Sequence, residues 1–272
     1  MPTKKNNRMD ALLFIDTNIF LDFYGNSKSN IHIKFLEQIE ACRDRLILSS
    51  QLEMEYKKNR QRVILKSLSD YSSPDWNKIK PPVIVGNIQA AKMIESKKNE
   101  IAKQQKKVNE KIRKILHNPS RNDPVYQSLQ RIFKYKSPYN LDRKDKRRFD
   151  IRDLAYKRFL LGYPPRKNKD NSYGDAIHWE WIVQCSIDSK KDIVIVTRDG
   201  DFGIIDNKSV HLNDWLMQEF KERVSKQRKI KLVSSLSEGL KIIHAKITTD
   251  MEEEERRIIE TLFEKDAPDW MK

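Results

Sequence analysis

The chain has 272 residues, of which 38% are hydrophobic and 34% are charged, with only 7 glycines and 10 prolines. This composition argues against a collagen-like or low-complexity protein, and no run of about 18 apolar residues is present to form a membrane-spanning helix. The length fits one large domain or one domain with a sizeable insertion, and the formal net charge is +15.

The N-terminus and the cysteines indicate the compartment. The first ten residues are polar and basic, and the apolar stretch after them stops at Asp16, so we expect neither a signal peptide nor a membrane partner. Cys42 and Cys185 are far apart and in no metal-binding spacing, which favours reduced thiols. We therefore expect a cytoplasmic protein.

The positive charge is concentrated in the middle of the chain. Residues 57–170 contain 31 Lys and Arg against 11 Asp and Glu, whereas the rest of the chain contains 23 against 28. Clustered cations bind polyanions because they release counterions from phosphates. Nucleic acid is therefore the predicted partner, and a solvated helical surface with a basic bias is the alternative.

The first predicted elements alternate strand and helix. The apolar residues 12–15 lead directly into Asp16, and a short apolar run of this kind is typical of a central strand in a parallel sheet. A helical period follows over 31–41, a second strand over 45–49, and a second helix over 51–65. This order predicts an α/β fold with a parallel sheet.

The middle of the chain breaks this pattern and is predicted to be a large basic α-helical insertion. Its longest helix covers about 88–116 and carries an apolar residue at every seventh position, which makes a narrow seam rather than a core face. The predicted organisation is therefore a first half of the core at 1–64, the insertion at 65–165, a second half of the core at 166–248, and a C-terminal helix or tail at 249–272.

The second half of the core returns to alternating elements. A helix with a strongly apolar side begins at Gly174-Asp175, and a third strand covers 192–196. A helix at 212–224, a fourth strand at 230–233, a helix at 236–247 and an exposed amphipathic helix at 250–264 complete the prediction.

Acidic residues from separate segments are predicted to meet at one edge of this sheet. Asp16 and Asp199 each follow a strand, and the strands of one parallel sheet end at the same edge. Asp175 lies at the start of the helix before the third strand, and Glu53 and Glu55 lie in the first turns after the second strand. Crowded carboxylates need a positive charge to stay ionised, and Mg²⁺ or Mn²⁺ prefers oxygen ligands. Because such a metal can activate water and stabilise charge on a phosphodiester oxygen, these acids predict a metal-dependent nuclease.

Single positions exclude other interpretations of these residues. A phospho-aspartyl enzyme of the haloacid dehalogenase type needs a second Asp two residues after the first, where this chain has Asn18. A calcium loop that starts at Asp199 would need Gly and an acid where Ile204 and Val210 stand. Glycine-rich nucleotide-binding loops are absent, and the five histidines have no paired metal spacing, so His178 is interpreted as incidental.

Four short motifs together resemble the PIN-domain ribonucleases. They are Phe14-Ile15-Asp16-Thr17-Asn18, Ser49 followed six residues later by Glu55, Gly174-Asp175-Ala176, and Val196-Thr197-Arg198-Asp199-Gly200-Asp201-Phe202. Their order and their placement on the sheet are similar to that family, over roughly 11–60 and 172–240. The long helical insertion is similar to a bacterial subgroup of PIN-like proteins.

The resemblance implies a three-layer α/β/α fold with a central, mainly parallel sheet, and a metal-dependent endonuclease that acts mainly on RNA with Mg²⁺ or Mn²⁺. The residues that would match the family's acidic quartet are Asp16, Glu55, Asp175 and Asp199, with Asp201 as an additional metal ligand. The supporting polar residues would be Thr17, Asn18 and Thr197. Because Glu53 and Glu55 are two residues apart, only one can face the site from a helix, and the spacing of the motif selects Glu55.

Cations on loops at the same edge are predicted to contact nucleic-acid phosphates, since loops there carry function. These are Arg166, Lys167 and Lys169 before Asp175, and Arg198 beside Asp199. Trp179 and Trp181 are candidates for stacking on bases, although helical placement favours core packing for Trp179.

Two classes of function follow from these observations. The favoured one is a metal-dependent endonuclease, most of all an endoribonuclease, and the alternative is a catalytically silent PIN-like nucleic-acid-binding or scaffold protein. A toxin or defence effector restrained by an inhibitory partner, and a homodimer, are both compatible with the sequence, which does not decide between them.

Overall fold

The structure is a computed structural model that describes residues 9–25, 31–70, 80–166, 172–206 and 209–266. Within these ranges the strands are β1 (Ala11–Ile15), β2 (Leu46–Ser49), β3 (Asn140–Leu141), β4 (Asp192–Val196), β5 (Gly203–Asp206), β6 (Ser209–Leu212) and β7 (Ile230–Val233). Five of them form a central sheet in the order β3-β2-β1-β4-β7, and every pair in it is parallel. β5 and β6 form a separate antiparallel pair.

Helices flank this sheet. In chain order they are α1 (Thr17–Asp22), α2 (Ile31–Ala41), α3 (Ser50–Asp70), α4 (Gln89–His117), α5 (Pro119–Asn122), α6 (Pro124–Phe133), α7 (Arg147–Leu161), α8 (Gly174–Ser189), α9 (Asp214–Arg223), α10 (Leu236–Ile242) and α11 (Thr249–Asp266). α8 packs against β2 and β4, whereas α10 packs against β1, β4 and β7.

The sheet is buried because its central strands are continuously apolar. Every residue of β1 is at most 2% exposed, and Leu13 pairs with Leu46 on one side and Val194 on the other. Parallel strands covered by helices on both faces require such runs. In α10, a Cβ at Gly239 would overlap the side chain of Val196, so glycine lets this helix approach the sheet closely. The predicted α/β class with a central parallel sheet is confirmed.

The predicted insertion is continuous with the core. α3 runs without a break to Asp70, and β3 extends the central sheet beyond β2. α6 contributes Leu129 and Ile132 to the main hydrophobic core. The division at residue 65 stays a prediction, but the helices after it share the core's apolar interior.

The long helix α4, all of whose residues the structure describes, buries little apolar surface, and Ala91 near its N-terminal end is its one buried residue. Val108, Ile112 and Ile115 line an apolar cleft with Ile64 of α3, whereas Ile94 near the other end is 46% exposed. A seam one residue wide gives this helix little apolar surface to bury, as its period predicts.

The hairpin of β5 and β6 and the burial in the C-terminal helix differ from the prediction. β5 and β6 lie in a stretch for which no strand was predicted, and α9 starts at Asp214 rather than at 212. In α11, predicted to be exposed, Met251 and Glu255 are buried.

The tryptophans of α8 belong to the core. Trp179 is fully buried and Trp181 is 1% exposed, so neither ring is open to a base. Trp181 donates its indole N–H to the backbone oxygen of Leu48 at 2.9 Å. In the described ranges, no helix has both the length and the apolar character to cross a bilayer.

Candidate active site

The carboxyl edge of the central sheet holds a pocket of about 350 Å³ whose wall contains four carboxylates. Asp16 follows β1 directly, and Asp199 lies three residues after β4. The other two come from the helices beside them: Glu55 from α3 and Asp175 from the first turn of α8. The structure therefore brings the four predicted acids into one cavity, as the parallel topology requires.

Asp16 is held rigidly by its own neighbours. It is the N-cap of α1, and its Oδ1 accepts a hydrogen bond from the Thr17 amide at 2.6 Å. Its Oδ2 accepts from Thr197 Oγ1 at 2.6 Å and from Asn18 Nδ2 at 2.9 Å. Burial raises the pKa of Asp16, and the hydrogen bonds from Thr197 and Thr17 act in the opposite direction. The predicted supporting residues thus fix the orientation of this carboxylate.

Glu55 is fixed by a buried histidine, His178, which was predicted from the sequence to be incidental. Nε2 of His178 lies 3.0 Å from Glu55 Oε2, and Gln51 Nε2 donates to Oε1 at 2.7 Å. Burial by itself raises the pKa of Glu55, but the charge and hydrogen bond of His178 and the donors Gln51 and Thr17 lower that pKa to about 2. Because Glu55 is ionised, His178 donates its Nε2–H to it. His178 is therefore a partner of the site and not incidental.

The choice between the two glutamates of α3 is visible in the geometry. Glu53 forms an ion pair with Lys57 at 2.6 Å on another face of the helix and does not line the acid pocket. Glu55 lines it. Positions two apart on a helix point in different directions, and here only Glu55 points to the acids.

Gly174 leaves the space that Glu55 occupies. A Cβ at this position would overlap Glu55 Oε1 and would approach Gln51 Nε2 to 3.1 Å. Any side chain at the start of α8 would therefore push Glu55 out of its hydrogen bonds. This is the physical reason for glycine immediately before Asp175.

Asp175 is the acid most affected by its neighbours. Burial is the main cause that raises its pKa to about 7, with His178 acting against it. The negative charges of Asp201, Asp16 and Glu55 raise the pKa further. Asp201 does not line the pocket, but its charge acts on Asp175. A cation in the pocket would relieve this repulsion.

The oxygen atoms of the pocket are chemically suitable ligands for a hard divalent metal. All four carboxylates of the pocket supply oxygen, the ligand that Mg²⁺ and Mn²⁺ prefer. Burial is the main cause of the raised pKa of Asp175, and the charges of Asp16 and Glu55 add to it. Oδ1 of Asp16 and Oε1 of Glu55 each accept one hydrogen bond, which leaves each oxygen a further accepting position. In the described part of the chain, no three His, Cys, Asp or Glu side chains are gathered closely enough to hold one ion together.

The cations predicted to bind nucleic acid have different surroundings from those expected. Arg198 forms ion pairs with Asp22 and, at 2.9 Å, with Glu255, so its guanidinium is used inside the fold. Arg166 lies over the Phe159 ring at 4.7 Å and does not line the acid pocket. Lys167 and Lys169 lie outside the described residues.

Other polar residues, which sequence reasoning missed, form the rim of the acid pocket. Lys58, Asn59 and Arg62 of α3 line it together with the acids. They stand three, four and seven positions after Glu55, which is the helical spacing of one face. That spacing was the signal that could have found them.

Comparison with known families agrees with this geometry. A family model for the PIN domain matches residues 13–202, a span that includes Asp16, Glu55, Asp175, Asp199 and Asp201. No curated protein and no solved structure matches the chain. The matched span covers well over half of the chain and contains most of β1 and all of β2, β3 and β4, so this chain belongs to the PIN-domain family.

Proposed function

We propose that this protein is a metal-dependent endonuclease that hydrolyses phosphodiester bonds of nucleic acid, with RNA preferred over DNA. PIN domains are generally nucleases and typically use divalent metals. The preference for RNA follows from the resemblance of the four motifs to ribonucleases of the family.

One observation carries the proposal. Carboxylates from four separate segments line a single pocket, and the crowding of their charges contributes to raising the pKa of Asp175 to about 7. Buried like charges are costly unless a cation compensates them. We therefore expect this pocket to bind a cation.

The residues divide into those that would hold the metal and those that position them. Asp16, Glu55, Asp175 and Asp199 would hold Mg²⁺ or Mn²⁺, with Asp201 contributing charge. When bound, the metal supplies an activated water and stabilises negative charge on the phosphate. The chain itself supplies rigid positioning of the acids. Thr197 and Asn18 fix Asp16, whereas Gln51 and His178 fix Glu55.

The test is cleavage of a mixed panel of nucleic acids. Purified wild type is incubated with single-stranded RNA, structured RNA and single-stranded DNA in Mg²⁺, Mn²⁺ or EDTA. We expect cleavage that needs metal and is fastest on RNA, and we expect Asp16→Asn to abolish it without loss of folding. If the wild type cuts no member of the panel with either metal, the proposal is wrong.

A matched pair on α3 serves as the control. Glu55→Gln removes a pocket carboxylate, whereas Glu53→Gln removes one from the same helix outside the pocket. We expect Glu55→Gln to lower the cleavage rate by at least about tenfold and Glu53→Gln to leave it unchanged. Equal losses in the two variants would contradict the assigned pocket.

Thermal denaturation separates the nuclease from the silent alternative. A metal that binds the folded state and not the unfolded state raises the melting temperature, by an amount that grows with the logarithm of its concentration above the Kd. We expect Mn²⁺ to raise the melting temperature of the wild type and not that of Asp16→Asn. No shift together with no cleavage would favour a catalytically silent nucleic-acid-binding protein.

A further inference from the structure

A second groove adjoins the acid pocket. It has a volume of about 580 Å³, and its walls come from α3, α7 and the start of α8. Lys58, Ser172 and Gly174 line both cavities, so the groove opens directly beside the carboxylates. Anything that lies across this boundary would lie next to the reaction centre.

Two cations from different helices, Lys58 of α3 and Arg152 of α7, line the groove. Both are exposed, and among the described residues neither forms an ion pair. Their neighbours on the same helices are paired, since Lys57 binds Glu53 and Arg158 binds Glu180. Lys58 also lines the acid pocket, so a phosphate bound to it would lie between the two cavities.

An aromatic ring also lines the groove. Tyr173 is 37% exposed, and it is restrained by the rings of Tyr156 and Phe159, whose centroids lie 6.1 and 6.2 Å from its own. A restrained ring that stays open to solvent is a suitable surface on which a base can stack. It differs from Trp179 and Trp181, which are buried.

We propose that this groove is a nucleotide-binding subsite for single-stranded nucleic acid. One base stacks on Tyr173, while Lys58 and Arg152 contact the phosphates on either side of that nucleotide. A base in a duplex is already stacked and paired, so the ring selects an unpaired strand. The role of the subsite in cleavage rests on the proposed nuclease function, but binding to it does not need the metal.

The test measures binding in EDTA, where no metal is present. A labelled single-stranded RNA of about a dozen nucleotides, the matching single-stranded DNA and a duplex of the same sequence are titrated by fluorescence anisotropy at several salt concentrations. Lys58→Ala, Arg152→Ala and Tyr173→Ala are compared with the wild type. The matched controls are Lys221→Ala, an exposed lysine on α9, and Tyr163→Ala, an exposed tyrosine that stacks on Trp215.

The two kinds of contact have different expected results. Each of Lys58→Ala and Arg152→Ala should reduce the slope of log affinity against log salt by about 0.7, the value for one phosphate contact on a single strand. Tyr173→Ala should weaken single-strand binding about fivefold or more without changing that slope. Tyr173→Trp should restore the binding, and the wild type should bind the duplex less tightly than the single strand.

The inference is overturned by any of three outcomes. These are duplex binding as tight as single-strand binding, a loss in Tyr173→Ala no larger than in Tyr163→Ala, or salt slopes in the lysine and arginine variants equal to that of Lys221→Ala. Because these measurements use no metal, a failure of cleavage leaves them intact, and cleavage without these effects contradicts the subsite alone.

Discussion

Two acids of the same pocket have pKa values that are shifted in opposite directions. The pKa of Glu55 is lowered to about 2 because, against the effect of burial, His178 and two further donors stabilise its charge. The pKa of Asp175 is raised to about 7 because burial and neighbouring carboxylates disfavour its charge. Without bound metal, Glu55 therefore stays ionised, whereas Asp175 keeps its proton up to near-neutral pH.

Asp175 gives the stability of the metal-free protein a specific pH dependence. Its ordinary pKa is 3.8 and its folded pKa is about 7, so between these values the folded state holds a proton that the unfolded state has lost. This contribution to stability falls as the pH rises from about 4 to about 7. We expect Asp175→Asn to gain stability relative to the wild type by about 1 kcal/mol or more over that range.

The measurement is thermal denaturation in EDTA from pH 4 to pH 8. Glu110→Gln, which replaces an exposed acid on α4, is the control and should show a constant difference from the wild type. A constant difference in Asp175→Asn as well would show that its carboxyl is not perturbed.

A side chain at position 174 is expected to displace Glu55. In Gly174→Ala the added methyl would displace Glu55 Oε1, so we expect the Mn²⁺-dependent rise in melting temperature to disappear and cleavage to fall about tenfold or more. Gly86→Ala is the control, since its Cβ would meet only ordinary contacts. A Gly174→Ala variant with unchanged metal response would mean that the position of Glu55 is not important.

At the scale of elements, Arg198 connects three helices to the loop after β4. It bonds Asp22 at the end of α1 and Glu255 of α11. Glu255 in turn accepts hydrogen bonds from the Leu236 and Ser237 amides at the start of α10. Because Arg198 lies between Thr197 and Asp199, this network holds the acid loop against the C-terminal helix, beyond the span matched by the family.

We expect Arg198→Met to destabilise the protein by about 3 kcal/mol, because it leaves partly buried carboxylates without their partner. Adding Asp22→Asn should recover part of the loss, since the uncompensated charge is then removed. Chemical denaturation of the two single variants and the double variant measures this coupling. If Arg198 instead contacted nucleic acid, Arg198→Met would reduce the salt slope of binding and leave stability almost unchanged.

At the scale of the whole molecule, a buried ion pair connects the predicted insertion to the core. Arg60 of α3 binds Asp123 at 2.5 Å, and both side chains are at most 4% exposed. Tyr24 donates to the same Asp123 oxygen at 2.8 Å. Asp123 also caps α6, which packs into the common core.

We therefore expect the chain to unfold in one cooperative calorimetric transition. Asp123→Leu should lower the midpoint of that entire transition, by about 3 kcal/mol in stability, since it leaves the Arg60 charge buried and unpaired. The double variant Arg60→Met with Asp123→Leu should lose less. Two separate transitions in the wild type would instead support an independently folding insertion at 65–165.

Much of the fold was predictable because it is encoded locally. Exposing the apolar residues of β1, β2, β4 and β7 to water is unfavourable, and a short, mostly apolar run between helical patterns has few alternatives to a parallel strand. The two-residue strand β3 has no such run, and its place in the sheet depends on pairing with β2.

The candidate site divides in the same way. Asp16 and Asp199 follow apolar strands, so the sequence alone places them at one edge of the sheet. The role of each polar side chain depends on residues far away in the chain. His178 contacts Glu55, Arg198 contacts Asp22 and Glu255, and Lys58 and Arg152 come from different helices to line one groove. Such contacts form between elements that are packed together in the tertiary structure. A local sequence pattern therefore does not predict which of two similar cations pairs with a carboxylate and which remains available to a phosphate.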